Sequence, residues 1–263
     1  MATNALALAS AQPGLAYYAR IFRKETRYEF VRMARTKAFS LSVIGFPLVF
    51  YLLFGSSNRH SAYAAYLLPG YSCMGVVSAC LFGIGMAISL ERTQGWLDVK
   101  QASPMPRAIY ILAKVVSCAV FSLIIVFLLM LLGLTVGGVH VTAIQAIELA
   151  GVTLAGSVPF AALALIVALT VPANSGPGII NLVYLPMSFA SGFWMPVSML
   201  PHWLQVFAPF LPTYHLAQLA LNVFGFASPS GGTMLLHWEV LGGFTLLMLG
   251  IAWIIFTRSE AKA

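Results

Sequence analysis

Residues capable of acid–base, nucleophilic or metal chemistry are few and scattered in this 263-residue chain. Asp98 is the single aspartate, which excludes a paired-aspartate diphosphate site. The five histidines (His60, His140, His202, His215 and His237) show no HExxH spacing. Cys73, Cys80 and Cys118 lie in apolar runs without metal-ligand spacing and read as small core residues. The chain has no GxSxG elbow and no GxxxxGK(S/T) phosphate loop, so it cannot bind ATP in the P-loop manner. Ionisable groups are also rare inside the apolar runs, where ion-coupled pumps place them. The chain therefore reads as non-enzymatic, with no catalytic residue, metal or cofactor of its own.

The densest local feature is a polar loop with both signs of charge, residues 91–107. It contains Glu91, Arg92, Thr93, Gly95, Trp96, Asp98 and Lys100, then Ser103-Pro104-Met105-Pro106-Arg107. A short helix is expected from Arg92 to Gln101, stopped by Pro104. It would offer Trp96 as an anchor ringed by charge, which suits docking of a soluble partner. A plain connecting loop with a solvated face is the alternative.

The elements that hold this loop are membrane spans. Hydrophobic residues make up 60% of the chain and charged residues 8%, against about 25% charged in soluble domains. Apolar runs recur that can each cross a hydrocarbon core of about 30 Å as a helix. The expected fold is an all-α integral membrane protein, a single transmembrane domain over 15–263 after a mobile tail at 1–14. It has an interfacial amphipathic helix at 15–37, then spans at 38–54, 64–90, 108–132, 149–170, 179–193 and 240–256. In the interfacial helix Arg20, Arg23, Lys24 and Arg27 share one face, while Glu25 and Glu29 intrude on the apolar side. A solvated basic arm is the alternative. Lys114 lies near enough to a span start to snorkel.

Residues 194–237 need a different solution. Trp194 to Trp238 holds no Asp, Glu, Lys or Arg and is rich in proline and aromatics. It is too apolar for an exposed loop and too broken for one straight span. A re-entrant pair of short helices, near Val197–Phe207 and His215–Phe224, satisfies both constraints. Two extra short spans are the alternative. With six spans, thirteen of the fourteen Lys and Arg fall on one side and only Arg59 on the other. The positive-inside rule then puts both termini in the cytoplasm and the histidines on the outer side.

The polar and aromatic residues of the first and fifth spans (Ser42, Phe46, Tyr51, Asn181, Tyr184 and Ser188) are candidates for a dimer seam and cargo path. Ordinary helix packing also uses such residues. A path lined this way suits amphipathic cargo. The net charge of +7 reads as topology, not nucleic-acid binding.

Three features resemble the membrane subunit of type-2 ABC exporters, the ABC-2 permease family. The first is the Glu91-Arg92 loop through Gly95 and Leu97 to Ser-Pro-Met-Pro-Arg. The second is the segment Ser191-Gly192-Phe193-Trp194-Met195-Pro196, Leu200-Pro201-His202-Trp203-Leu204 and Pro209-Phe210-Leu211-Pro212-Thr213-Tyr214. The third is the basic N-terminal helix. The resemblance covers nearly the whole chain, from about Leu15 to Arg258. It implies a bacterial inner-membrane permease, paired with a second copy as a homodimer. Each copy would dock a cytosolic ABC ATPase, which binds ATP and Mg, through 91–100 as a coupling helix. Trp96-Leu97-Asp98 departs from the Thr-Leu-Glu often found there. The outer segment, with Trp194, Pro196, Pro201, Trp203, Pro212 and Tyr214, would close the exit. The implied function is export of an amphipathic drug, lipid or lipid-linked glycan; an ATPase-independent secondary transporter or channel is the alternative.

Overall fold

The computed structural model describes residues 14–102, 105–172, 175–228 and 231–260, with 97–98, 101 and 256–260 described by backbone alone. Most of the expected tail at 1–14 lies outside the described residues. The described residues are helical, with no strand among them. In chain order the helices are α1 (Leu15–Arg35), α2 (Lys37–Ser57), α3 (Ala62–Thr93), α4 (Trp96–Ala102), α5 (Arg107–Leu132), α6 (Ala143–Thr170), α7 (Gly176–Ala190), α8 (His202–Phe207), α9 (Pro212–Val223) and α10 (Met234–Glu260).

Five stretches are long and apolar enough to cross a membrane: Lys37–Ser57, Ala62–Thr93, Arg107–Gly137, Ala143–Thr170 and Met234–Ile255. The fifth expected span, 179–193, corresponds to α7, whose 15 residues fall short of the roughly 20 a perpendicular crossing needs. Other boundaries moved for local reasons. α6 starts at Ala143 because Thr142 and Gln145 form a capping box, which the sequence reading had placed inside a loop. α5 runs on through a π-helical turn, Gly133–Gly137, closed by Gly138 at φ +65°. α10 starts at Met234, six residues before the expected Val240.

α3 is the axis of the molecule. It is apolar on all sides and buried along most of its length, packing against α6, α5 and α2. Small residues allow these approaches. A Cβ on Gly70 would sit 2.5 Å from the Phe193 carbonyl oxygen. α2 and α10 lie at the edge with long exposed apolar faces, Leu41, Val49 and Leu53 on α2 and Leu246, Leu247 and Trp253 on α10. Such faces suit lipid or another helix.

Residues 191–223 form a broken layer over the start of α3. It comprises a 3-10 turn at Val197–Met199, α8, a second 3-10 turn at Ala208–Phe210, and α9. Tyr66 Oη donates to the Gly192 carbonyl at 2.7 Å, fixing this layer to α3. The layer therefore lies at the end of the bundle opposite α4, which follows the other end of α3.

Candidate coupling site and its ionic clamp

α4 leaves α3 through a two-residue joint, Gln94-Gly95. Gly95 has φ +72°, a left-handed conformation that side chains rarely adopt, and open space around it. The helix thus spans Trp96–Ala102, not Arg92–Gln101, and Arg92 and Thr93 complete α3. On α4, Trp96 and Val99 are 56% and 60% exposed. Two large apolar groups are thus held out beside charge on this helix, the pattern of an interaction surface. The side chain of Asp98 is outside the described set.

Glu91, Arg92 and Lys100 of the loop turn inward, while Arg107 is exposed. Lys114 Nζ donates to Glu29 Oε1 at 2.8 Å and to Glu91 Oε1 at 2.9 Å. Arg32 reaches Glu29 Oε2 at 2.6 Å and Glu91 Oε1 at 3.2 Å. Lys100 bonds Glu25 Oε1 at 2.7 Å and Glu29 Oε1 at 3.3 Å. Tyr110 Oη donates to the second Glu91 oxygen, and both lysine ammonium groups lie 4.7 Å from its ring centroid. Glu25, Glu29 and Glu91 thus balance Arg32, Lys100 and Lys114. This clamp joins four elements: α1, the end of α3, α4 and the start of α5.

Burial explains why the clamp must be complete. The Glu29 and Lys114 side chains are 1% and 2% exposed, and neither could keep its charge there unpaired. Burial alone would raise the Glu29 carboxyl, but Lys114 and Arg32 outweigh it and hold it below the ordinary glutamate value. Burial would lower Lys100, yet its bond to Glu25 and the charge of Glu91 and Glu29 leave it raised. Lys114 does not snorkel: its partners are inside the protein, so the ammonium turns in. Of the two glutamates that mar the apolar face of α1, Glu29 is one of those partners and Glu25 bonds Lys100. A carboxylate pair at i, i+4 on an apolar stripe, with a lone lysine in a later apolar run, was the available signal.

A second tether runs from Arg92. Its guanidinium donates to the Leu169 carbonyl at 3.0 Å and to the Val171 carbonyl. These are free carbonyls at the C-terminus of α6, where the helix dipole favours a cation.

The seam and cargo candidates divide. Ser42, Phe46, Asn181 and Tyr184 line one groove of about 500 Å³ between α2, α3 and α7. A smaller cavity of about 200 Å³ shares Thr36, Phe39, Phe82 and Met86 with it and extends to Arg32. Tyr51 and Ser188 are fully buried and lie outside this lining. Tyr51 Oη donates to the Ala64 carbonyl at 3.2 Å, and Ser188 accepts from Trp194 Nε1 at 3.2 Å. Both do packing work within the chain, where a hydroxyl must find a partner.

The exit-side candidates divide as well. Trp194 wedges between Phe46, Phe50 and Tyr71, with ring centroids 4.9 Å from Phe50. Tyr214 is buried, Pro196 and Pro212 are half-buried, and Pro201 and Trp203 are exposed.

A bundle of several long apolar helices, with a short loop helix clamped to its first helix by buried ion pairs, is the architecture of a multi-pass membrane transport protein. Residues 22–225 match the model of the ABC-2 type transporter family, and the chain belongs to that family. It is also similar to "Putative transport permease YvfS" of Bacillus subtilis (strain 168). The two are 24% identical over 246 residues, covering 92% of this chain and 99% of that one.

Proposed function

We propose that this chain is the membrane subunit of an ATP-driven exporter, working as a homodimer with two cytosolic ABC ATPase subunits. α4 is the ATPase-docking helix, and ATP and Mg bind the partner. The observation that carries this reading is the pairing of an exposed Trp96 face with a buried clamp beneath it. A docking helix that transmits force must be soft toward its partner and stiff toward its own bundle.

The proposal includes six crossings, with α7 as the short fifth, and both termini in the cytoplasm of a bacterial inner membrane. The charge asymmetry supports this orientation. α1 lies in the interface, and residues 194–223 form a re-entrant exit gate. The groove of Ser42, Phe46, Asn181 and Tyr184 faces the second copy and passes an amphipathic drug, lipid or lipid-linked glycan. Its lining carries no formal charge, which favours such cargo.

Co-expression with a cognate ATPase tests the reading. A complex with nucleotide-dependent transport in proteoliposomes is expected, and replacing α4 by a Gly-Ser linker is expected to abolish it. Transport by this chain alone, without an ATPase, would refute the proposal.

A further inference from the structure

His215 on α9 and His237 on α10 are both buried, at 3% and 0% exposure, and the coupling site does not involve them. Their Nδ1 atoms are 2.8 Å apart. His215 Nε2 lies 2.9 Å from the Pro209 carbonyl in the second 3-10 turn. His237 Nε2 is buried and has no hydrogen-bond partner.

These contacts fix the tautomers. A carbonyl only accepts, so His215 Nε2 carries the hydrogen. In the neutral ring His215 Nδ1 is then the acceptor, and His237 Nδ1–H must donate to it. His237 Nε2 is left with a bare, basic lone pair. One chain of two hydrogen bonds therefore links α10, α9 and the 208–210 turn, and it ends on an unfilled proton site.

We infer that this histidine pair is a proton-operated latch on the 208–223 segment, closed when both rings are neutral and released when His237 Nε2 takes a proton. The incoming proton forms an N–H bond at Nε2 and leaves a buried imidazolium with no acceptor for the new donor among the described residues. Burying that charge is costly, so the protonated form favours an arrangement that reaches water. Moving either ring breaks the link to Pro209.

Among the described residues, no charged group compensates the new charge. Tyr214 meets both rings edge-on, with centroids 5.6 and 6.1 Å away. From α3, Cys73 Sγ bonds the Leu216 carbonyl, and Tyr66 bonds Gly192. From α7, Tyr184 bonds Met74. Glu239 on α10 and Glu148 on α6 are exposed, and no ion pair reaches either ring among the described residues. Burial lowers His215 below its ordinary value of 6.5, countered by the Pro209 bond. A buried neutral histidine gives stability that is present above its unfolded pKa and is lost as pH falls.

The test uses the full chain in detergent, where both faces meet one buffer, so it does not depend on the membrane orientation proposed above. Hydrogen exchange of 212–223, corrected for intrinsic rate, is compared at about pH 7.5 and about pH 5.5, on either side of an ordinary histidine pKa. Opening about fivefold more frequent at the lower pH is expected, which corresponds to one unit of pKa difference between closed and open forms over this pH window. His237→Gln keeps a donor to His215 but lacks the basic lone pair, so its exchange should respond to pH clearly less than the wild type, leaving only the part due to His215. Equal pH responses in wild type and H237Q would overturn the inference. Nitrogen NMR of labelled wild-type histidines checks the closed form without any variant. It should find His237 protonated at Nδ1, and the opposite tautomer would also overturn the inference.

Discussion

Replacing Lys114 by Met tests whether the ionic clamp holds the docking helix to the bundle. The substitution keeps length and apolar volume and removes one charge. It leaves Glu29, 1% exposed, and Glu91, 8% exposed, facing each other across the site of the lost ammonium. Breaking a buried pair from one side costs about 3–5 kcal/mol. Arg32 and Lys100 still reach both carboxylates, so the lower end, about 3 kcal/mol, applies. The same change at Lys100, whose side chain is 19% exposed, should cost about 1 kcal/mol because solvent screens it. Glu29→Gln combined with Lys114→Met removes both charges of the tightest pair and should recover at least about 1 kcal/mol of the summed single losses. Reversible unfolding in mixed micelles, monitored by circular dichroism, supplies the four corners of the cycle. A Lys114→Met loss below about 1 kcal/mol, or strict additivity in the double variant, would refute the buried-clamp argument.

Three further outcomes are expected. Trp96→Ala should weaken ATPase capture by about 2 kcal/mol, roughly thirtyfold in Kd, measured by titrating the purified ATPase, while the thermal stability of the permease stays unchanged. Gly70→Ala should destabilise by about 1–3 kcal/mol, because its methyl meets the Phe193 backbone oxygen and not a movable side chain; thermal denaturation in detergent reads this directly. The clamp should be complete at neutral pH and fail at both extremes. The depressed Glu29 gives stability that is present above its unfolded value of 4.5 and is lost as pH falls through its lower folded value. The raised Lys100 gives stability that is present below 10.5 and is lost as pH rises through its higher folded value. Protease nicking at Gly95 against pH reports both edges.

Hydropathy and the breaker residues made the long apolar helices legible, because each is a local property of its own stretch. Trp96 was legible as an exposed anchor for the same reason: it sits in a short stretch where charged and polar residues predominate. Arg92, Lys100 and Lys114 were not, because which way a long side chain turns depends on what another element brings to it. Glu29 lies 85 residues from Lys114, and no local pattern joins them. Tyr51 and Ser188 looked like lining because hydroxyl and aromatic residues on a lipid-facing helix can face either way. The start of α6 differs from the expected 149 because the Thr142–Gln145 cap carries the helix through Gln145 and Glu148, which interrupt the apolar run. The His215–His237 contact was hidden by the fold between them.

The joint at Gly95 has a mechanical corollary. α4 hangs from one backbone swivel, and Lys100, near its far end, is moored to Glu25 and Glu29 on α1. A rod pinned at one end and moored at the other cannot swing freely. A push on Trp96, beside the swivel, or on Val99, further along, therefore meets the mooring and passes into α1 and, through Glu29 and Lys114, into α5. Lengthening the swivel by inserted glycines would leave the rod attached yet slack, so that on the function proposed above nucleotide turnover and cargo movement would come uncoupled.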